Sequence, residues 1–226
     1  YPHWEAAPKM TSLCKSMANG ADIRLNHKVT QIKRENNKIK IELANNEATS
    51  LFDYVVITIP PEQATSIIPQ NSCLHQKLNA FPMDRCMSVS FAFDKPIGLT
   101  FAAALVKERD ISLIANNVTK PSRENFMPSI TLLSTNRYAN KNTIKNNQCH
   151  IDHLKREAEL TLNTKLPPII DEYIHYWKYA NKKGSHKPNY LYDDDLKIGY
   201  CSDGLSRGMV ENAFLNAKTL VDEIFK

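Results

Sequence analysis

The apolar positions follow two rhythms along the chain. Near the start, Met10, Leu13, Cys14 and Met17 recur at helical spacing and Asn19-Gly20 supply a stop, which predicts a helix from about Ala7 to Ala18. The rhythm then changes to alternation. Ile23 and Leu25 read as a strand, Val29 and Ile32 lead into a turn at Asn36-Asn37, and Ile39, Ile41 and Leu43 alternate on the return, the pattern of a hairpin. "YVVITI", Tyr54 to Ile59, is apolar without alternation, as in a strand of a parallel layer buried on both faces. Pro60-Pro61 ends it, and "EQATSIIP" reads as a short helix or turn.

From about Leu74 to Ala180 the pattern changes character. "CMSVSFAFD", "LTFAAALV", "ISLIANNV" and "SITLLST" are four strand candidates. They precede a helix, "CHIDHLKREAELTLNTKL", with Ile151, Leu154, Ala158 and Leu162 on one stripe, and an aromatic-rich strand, "EYIHYWKYA". Strands followed by a covering helix predict an antiparallel sheet, a different layer type from the flanks. "NKKGSHKPNYLYDDD" is a loop by composition. "KIGYCS" follows as a second parallel-type strand, ends in Ser202-Asp203-Gly204, and passes through Gly208 into the last helix. The chain therefore leaves one domain near residue 70 and returns to it near residue 195, and two such strands do not complete a doubly wound sheet.

Composition narrows the function classes. A chain of 226 residues that is 42% hydrophobic buries a sizeable core, and its charge of +5 is spread along the sequence with no basic stripe interleaved with aromatics, so nucleic acid is not an expected partner. The five cysteines are dispersed, with no CxxC pair and no Cys/His cluster at metal-ligand spacing, which predicts reduced thiols, a cytoplasmic setting and no metal. No run approaches the roughly 18 apolar residues of a membrane span. An aspartate at a strand tip followed by a helix N-terminus makes a paired site, an acceptor for hydroxyls beside a donor for an anion.

The order of the "PKM-x-x-L" helix, the "V-T-x-I" strand, "DYVVITIP", the antiparallel block, "HYWKYA" and "CSDGLSRGMVENAF" resembles the C-terminal two-thirds of the FAD-dependent amine-oxidase superfamily, nearest its renalase-like NAD(P)/FAD-dependent oxidoreductases. The resemblance implies an α/β plus α+β chain. Residues 1–72 and 191–226 would form an incomplete FAD/NAD(P)-binding domain of the glutathione-reductase-like kind, and residues 73–190 an inserted antiparallel-sheet substrate domain. It also implies FAD as cofactor, a small-molecule substrate, and NAD(P)H as a candidate reductant. By position, Val29 matches the valine whose backbone meets the adenine, and Asp203 matches the aspartate that receives the ribityl chain. Ser202 and Gly204 flank that aspartate, and the amides of Met209, Val210 and Glu211 meet the flavin's pyrimidine edge. Ser202 stands where the family usually has glycine, and Asn216-Ala217 where Ser-Gly is common. No G-x-G-x-x-G occurs in the sequence. The expectation is thus a fragment that does not hold FAD tightly or turn over alone and whose nucleotide-binding unit would lie before Tyr1, with that unit or an oligomer partner covering the open edge. The competing expectation is a cofactor-free relative acting as a binding or structural module.

Other residues have blander readings. Trp177 and Tyr173 are candidate substrate-pocket walls, although a large ring contributes burial first and tyrosines on an alternating strand serve packing and edge protection. His150 and His153 read as a solvated helix face, Cys201 as a small buried filler, and "KKGSHK" as a charged loop able to meet a phosphate.

Overall fold

The computed structural model describes residues 6–7, 9–122, 127–142, 146–182, 188–205 and 208–226. In chain order the elements are α1 (Thr11–Met17), β1 (Val29–Glu35), β2 (Lys38–Leu43), β3 (Val55–Ile57), α2 (Pro61–Ala64), α3 (Leu74–Leu78), β4 (Met83–Phe93), β5 (Ala103–Leu105), β6 (Ile111–Asn116), β7 (Ser129–Ser134), α4 (Asn136–Lys141), α5 (Asn147–Leu162), β8 (Ile169–Lys182), β9 (Leu191–Asp193), β10 (Ile198–Tyr200) and α6 (Val210–Ile224). The chain is mixed α/β with antiparallel sheets, and it divides into two compact units.

One unit comprises Arg24–Asp84 and Tyr179–Lys226. β1 and β2 pair antiparallel through Glu35↔Lys38, and Asn36 and Asn37 both take positive φ (47° and 63°), the two-residue turn whose twist matches the strands. β10 lies parallel to β3 and antiparallel to β9, so "YVVITI" and "KIGYCS", read separately as parallel-type strands, pair with each other. The expectation that "YVVITI" is buried on both faces fails: the strand is only three residues long, Val56 is 40% exposed, and β3 is at the edge of its sheet. Ile23 and Leu25 do not form a strand either; Asn26 turns to φ 62° and Leu25 is 75% exposed. The supposed loop before residue 196 contains β9, whose Asp193 is buried. Its carboxylate accepts from the Ser72 hydroxyl (2.6 Å), the Cys73 N–H (3.0 Å) and the Leu196 N–H (3.1 Å), which ties the start of α3 to β9.

α6 covers β10 at a point where no side chain fits. A Cβ on Gly199 would lie 2.8 Å from Leu220 Cδ2, and Leu220 is itself fully buried. Gly199→Ala is therefore expected to cost about 1–3 kcal/mol through overpacking, read as a lower denaturant midpoint at unchanged slope.

The other unit comprises Tyr1–Ile23 and Arg85–Lys178. α1 begins at Thr11, four residues later than predicted, and it buries none of its side chains. All four predicted strands form, in the order β5-β6-β7-β4-β8, although "LTFAAALV" contributes only three residues; β5–β6, β6–β7 and β7–β4 are antiparallel. Met87, Val89, Phe91 and Phe93 alternate onto the inner face, where Ile151, Leu154 and Ala158 of α5 join one core. Asn146 caps α5 by accepting from the Cys149 N–H (3.2 Å). Of the two histidines of α5, His150 is buried and so is not part of a solvated face, while the His153 side chain stays 37% exposed. α4, which the sequence pattern did not reveal, brings Tyr138 between them. The Tyr138 hydroxyl bonds His150 Nδ1 (2.9 Å), and its ring stacks on His153, which meets Asp110 at 3.0 Å. Burial, with Cys149 and Asp110 nearby, pushes the Tyr138 hydroxyl up to about 12.

Candidate cofactor site

The site is built where the parallel pair ends. The Cys201 N–H continues the pairing to the Ile57 carbonyl (3.1 Å), and the chain then turns through a 3-10 segment, Asp203–Leu205. Tyr200, fully buried, organises the turn. Its hydroxyl donates to the Ile59 carbonyl (2.9 Å) and meets Ser202 Oγ (2.8 Å), which also accepts from the Gly204 N–H (3.1 Å). Burial, opposed by the Ser202 bond, pushes the Tyr200 hydroxyl up, so it stays a donor. Ser202 is thus an inward-facing cap of the turn. Gly204 passes close to Pro61, where a Cβ would lie 3.4 Å from Cδ, and Gly208 sits at φ 69°, a conformation glycine adopts without strain. Ser206 and Arg207 lie outside the described residues.

Four groups converge beyond the turn. Asp203 is half-buried and its carboxylate has no hydrogen-bond partner among the described residues. α6 opens at Met209 with extended backbone and no side-chain cap, and Met209, Val210 and Glu211 are exposed, so its first amides face outward. Inside that first turn the Asn212 Nδ2 is buried without a partner among the described residues, a donor next to a helix N-terminus. One turn on, Asn216 is buried and donates to the Ser202 carbonyl (3.0 Å), so a polar pair at i, i+4 ties α6 to the turn. Cys201 is buried as expected, and burial pushes its thiol up.

Val29 belongs to a second feature of the same unit, a groove of about 620 Å³ that runs along the open side of β3. Its walls include Val29, Ile32, Val56, Ile59 and Ile67, with Gln63 and Lys28 as polar members. Ile59 is the residue whose carbonyl receives the Tyr200 hydroxyl, so the groove and the β10–α6 turn share a wall.

Tyr173 and Trp177 stand in the other unit, on the outer face of β8 with His175 between them. Trp177, half-exposed, donates from its indole N–H to Ser88 Oγ (3.0 Å), and its ring lies 4.2 Å from His175. Tyr173 is 63% exposed. Tyr176 points the other way and packs against the core. "KKGSHK" falls almost wholly on residues outside the described set. Among the described residues no group of three or more His, Cys, Asp or Glu is placed to hold a metal, and no helix is long and apolar enough to cross a membrane.

The sequence model for flavin containing amine oxidoreductases matches residues 7–137. The chain belongs to that family. Among solved structures, this flavin containing amine oxidoreductase chain is similar to a protein designated a protoporphyrinogen oxidase from Exiguobacterium sp. 255-15, at TM-score 0.71 and 14% identity over 96% of this chain and 51% of the other. It is also similar to a fatty acid isomerase from P. acnes that produces CLA, at TM-score 0.65 and 14% identity over 96% and 51%. A third likeness is to putrescine oxidase bound to putrescine, at 0.63 and 13% over 95% and 52%. These likenesses establish the fold, and the chain spans about half the length of each structure. The residues present fit the pyrimidine end of a flavin: the uncapped N-terminus of α6 carries the buried Asn212 amide in its first turn, and α6 packs against the 3-10 segment that carries Asp203. Tyr200 and Asn212 were missed from sequence. The signals were a hydroxyl pair two apart at a strand end and a polar i, i+4 pair on the last helix.

Proposed function

We propose that this chain is the part of a flavin-dependent oxidoreductase that holds the flavin end of FAD and forms the wall of the substrate site. The observation that carries the proposal is the Asn212 amide, buried without a partner among the described residues inside the uncapped first turn of α6, which packs against the segment carrying Asp203 beyond a parallel strand pair. When bound, a flavin supplies hydride acceptance from an amine or a reduced nicotinamide and reoxidation by oxygen. The chain's own contribution is binding and orientation. Asp203 accepts hydroxyls of the ribityl chain, the amides of Met209 to Glu211 and Asn212 Nδ2 donate to the pyrimidine edge, and the partial positive charge at the start of α6 favours negative charge there. The backbone of Val29 and its apolar groove take the adenine end. Tyr173 and Trp177 form part of the substrate wall. The renalase-like choice of NAD(P)H as reductant belongs to this proposal as well. The nucleotide cradle that this sequence lacks comes from a further segment.

The test is FAD binding by the complete natural gene product, followed by visible absorbance and flavin fluorescence. Asp203→Ala and Asn212→Leu are each expected to weaken FAD binding by about tenfold, the value of one charge-assisted or buried hydrogen bond. Far-UV circular dichroism should be unchanged. A complete product that stays colourless in excess FAD overturns the reading and favours the cofactor-free binding module.

A further inference from the structure

Tyr200 has one hydroxyl hydrogen, and it goes to the carbonyl of Ile59, just beyond β3 (2.9 Å). Toward Ser202 Oγ, 2.8 Å away, the Tyr200 oxygen is therefore the acceptor, which commits the single Ser202 hydroxyl hydrogen to Tyr200. Ser202 Oγ in turn accepts the Gly204 N–H (3.1 Å). Three hydrogen bonds thus run in one direction, from the Gly204 amide through the two hydroxyls to Ile59, and bonds in such a chain polarise one another. Tyr200 is fully buried and Ser202 is only 6% exposed, so water does not compete for these bonds. The backbone around Asp203 is held as well. The Cys201 N–H donates to the Ile57 carbonyl (3.1 Å), and the Ser202 carbonyl accepts from Asn216 Nδ2 (3.0 Å) and from the Leu205 N–H (3.3 Å). Residues 201, 202, 204 and 205 are each fixed in this way within one unit, and Asp203 sits between them.

We infer that Ser202 is a positioning residue for cofactor binding: its hydroxyl, held by Tyr200, pre-organises the turn that presents the Asp203 carboxylate to the ribityl hydroxyls. The inference rests on the flavin reading above and adds to it a residue that acts only through its neighbour. The Ser202 hydroxyl is directed inward, to Tyr200 and the Gly204 amide, so it offers the cofactor no bond of its own. Its contribution lies in the free chain. A turn already in its binding geometry has little freedom left to lose when a ligand arrives, and the carboxylate it carries binds with a smaller ordering cost. Tyr200 acts one step further back, because without its hydroxyl the Ser202 hydrogen has no partner in this chain of bonds and Ser202 Oγ is free to rotate away from Gly204.

FAD titrations of the complete natural gene product, followed by flavin fluorescence, test it through a double-variant cycle. Ser202→Ala and Tyr200→Phe each break the hydroxyl chain and should each weaken FAD binding roughly threefold to tenfold, the worth of one or two neutral hydrogen bonds. With Asp203→Ala already in place, the same changes should alter FAD binding by less than about twofold, since no carboxylate is left to position. A residue that only stabilises the fold would weaken binding equally in both backgrounds. Circular dichroism checks that each variant is folded, and Tyr200→Phe, which keeps the ring, carries the test if Ser202→Ala does not fold. Equal losses in both backgrounds overturn the inference and leave the flavin reading standing. So does an affinity indifferent to Ser202 and Tyr200 while Asp203→Ala weakens it. A product that binds no FAD, or binds it independently of Asp203, overturns the flavin reading and this inference together.

Discussion

Asp193→Ala is expected to destabilise the unit that carries β9 by about 2–4 kcal/mol, because it strands one buried donor and two part-buried ones at once, the buried one costing roughly 1–3 kcal/mol when left unsatisfied. The Ser72 hydroxyl and the Cys73 and Leu196 N–H groups all converge on this one carboxylate, which is only 5% exposed. Burial by itself would raise the Asp193 carboxyl, but the bonds from Ser72, Leu196 and Cys73 outweigh it and hold the carboxyl below the usual range. The unfolded-state value lies near ~3.9. A folded value below it means that the unfolded chain binds the proton first as the pH falls. The stabilisation is therefore complete above about pH 4 and is lost as the pH falls through the folded value. Denaturant titrations from neutral to acid pH should show the natural chain losing this contribution in that window, with the alanine variant less dependent on pH there. Equal acid sensitivity in both would show that the carboxylate is not the group that titrates.

Leu154→Ala should cost the other unit about 2–5 kcal/mol, while Leu160→Ala on the same helix should stay within about 0.5 kcal/mol. Leu154 is fully buried beneath α5 in the cluster with Val89, Phe91 and Ile114, and its truncation leaves a cavity in a close-packed core. Leu160 faces solvent, 50% exposed. Thermal melts of the two variants separate the faces of the helix: a large loss for Leu160→Ala would mean that α5 is covered on its outer side by something beyond this sheet.

The middle block was legible because each strand of its sheet buries one face only, so alternation survives in the sequence. Met87, Val89, Phe91 and Phe93 announce both the strand and its inward side. The hairpin was legible for a second local reason, that Asn36-Asn37 tolerates the positive φ its turn demands. The short elements were not. α3, α4 and β9 lack the length for a period to show, and α3 and β9 are held by Asp193 through partners about 120 positions apart in sequence. "YVVITI" misled in the opposite direction. An apolar run states that a strand suits a buried layer, but only the number of neighbouring strands decides how many of its faces are covered.

By itself the sequence determined the order of the layers, the strand that ends in Ser202-Asp203-Gly204, and the final helix beyond Gly208, because periodicity, glycine and proline act within a few residues of themselves. Tertiary structure alone decided that Tyr200 locks that turn, that Asn212 Nδ2 is buried at the start of α6, and that Tyr138 bonds the buried His150 and stacks on His153. It also decided that, among the described residues, β8 is the last strand of its sheet, with Tyr173 and Trp177 exposed. Those outcomes depend on which distant segments arrive beside a polar group and which do not. Hydrogen-bond satisfaction and burial are properties of that arrival, and no local pattern records them.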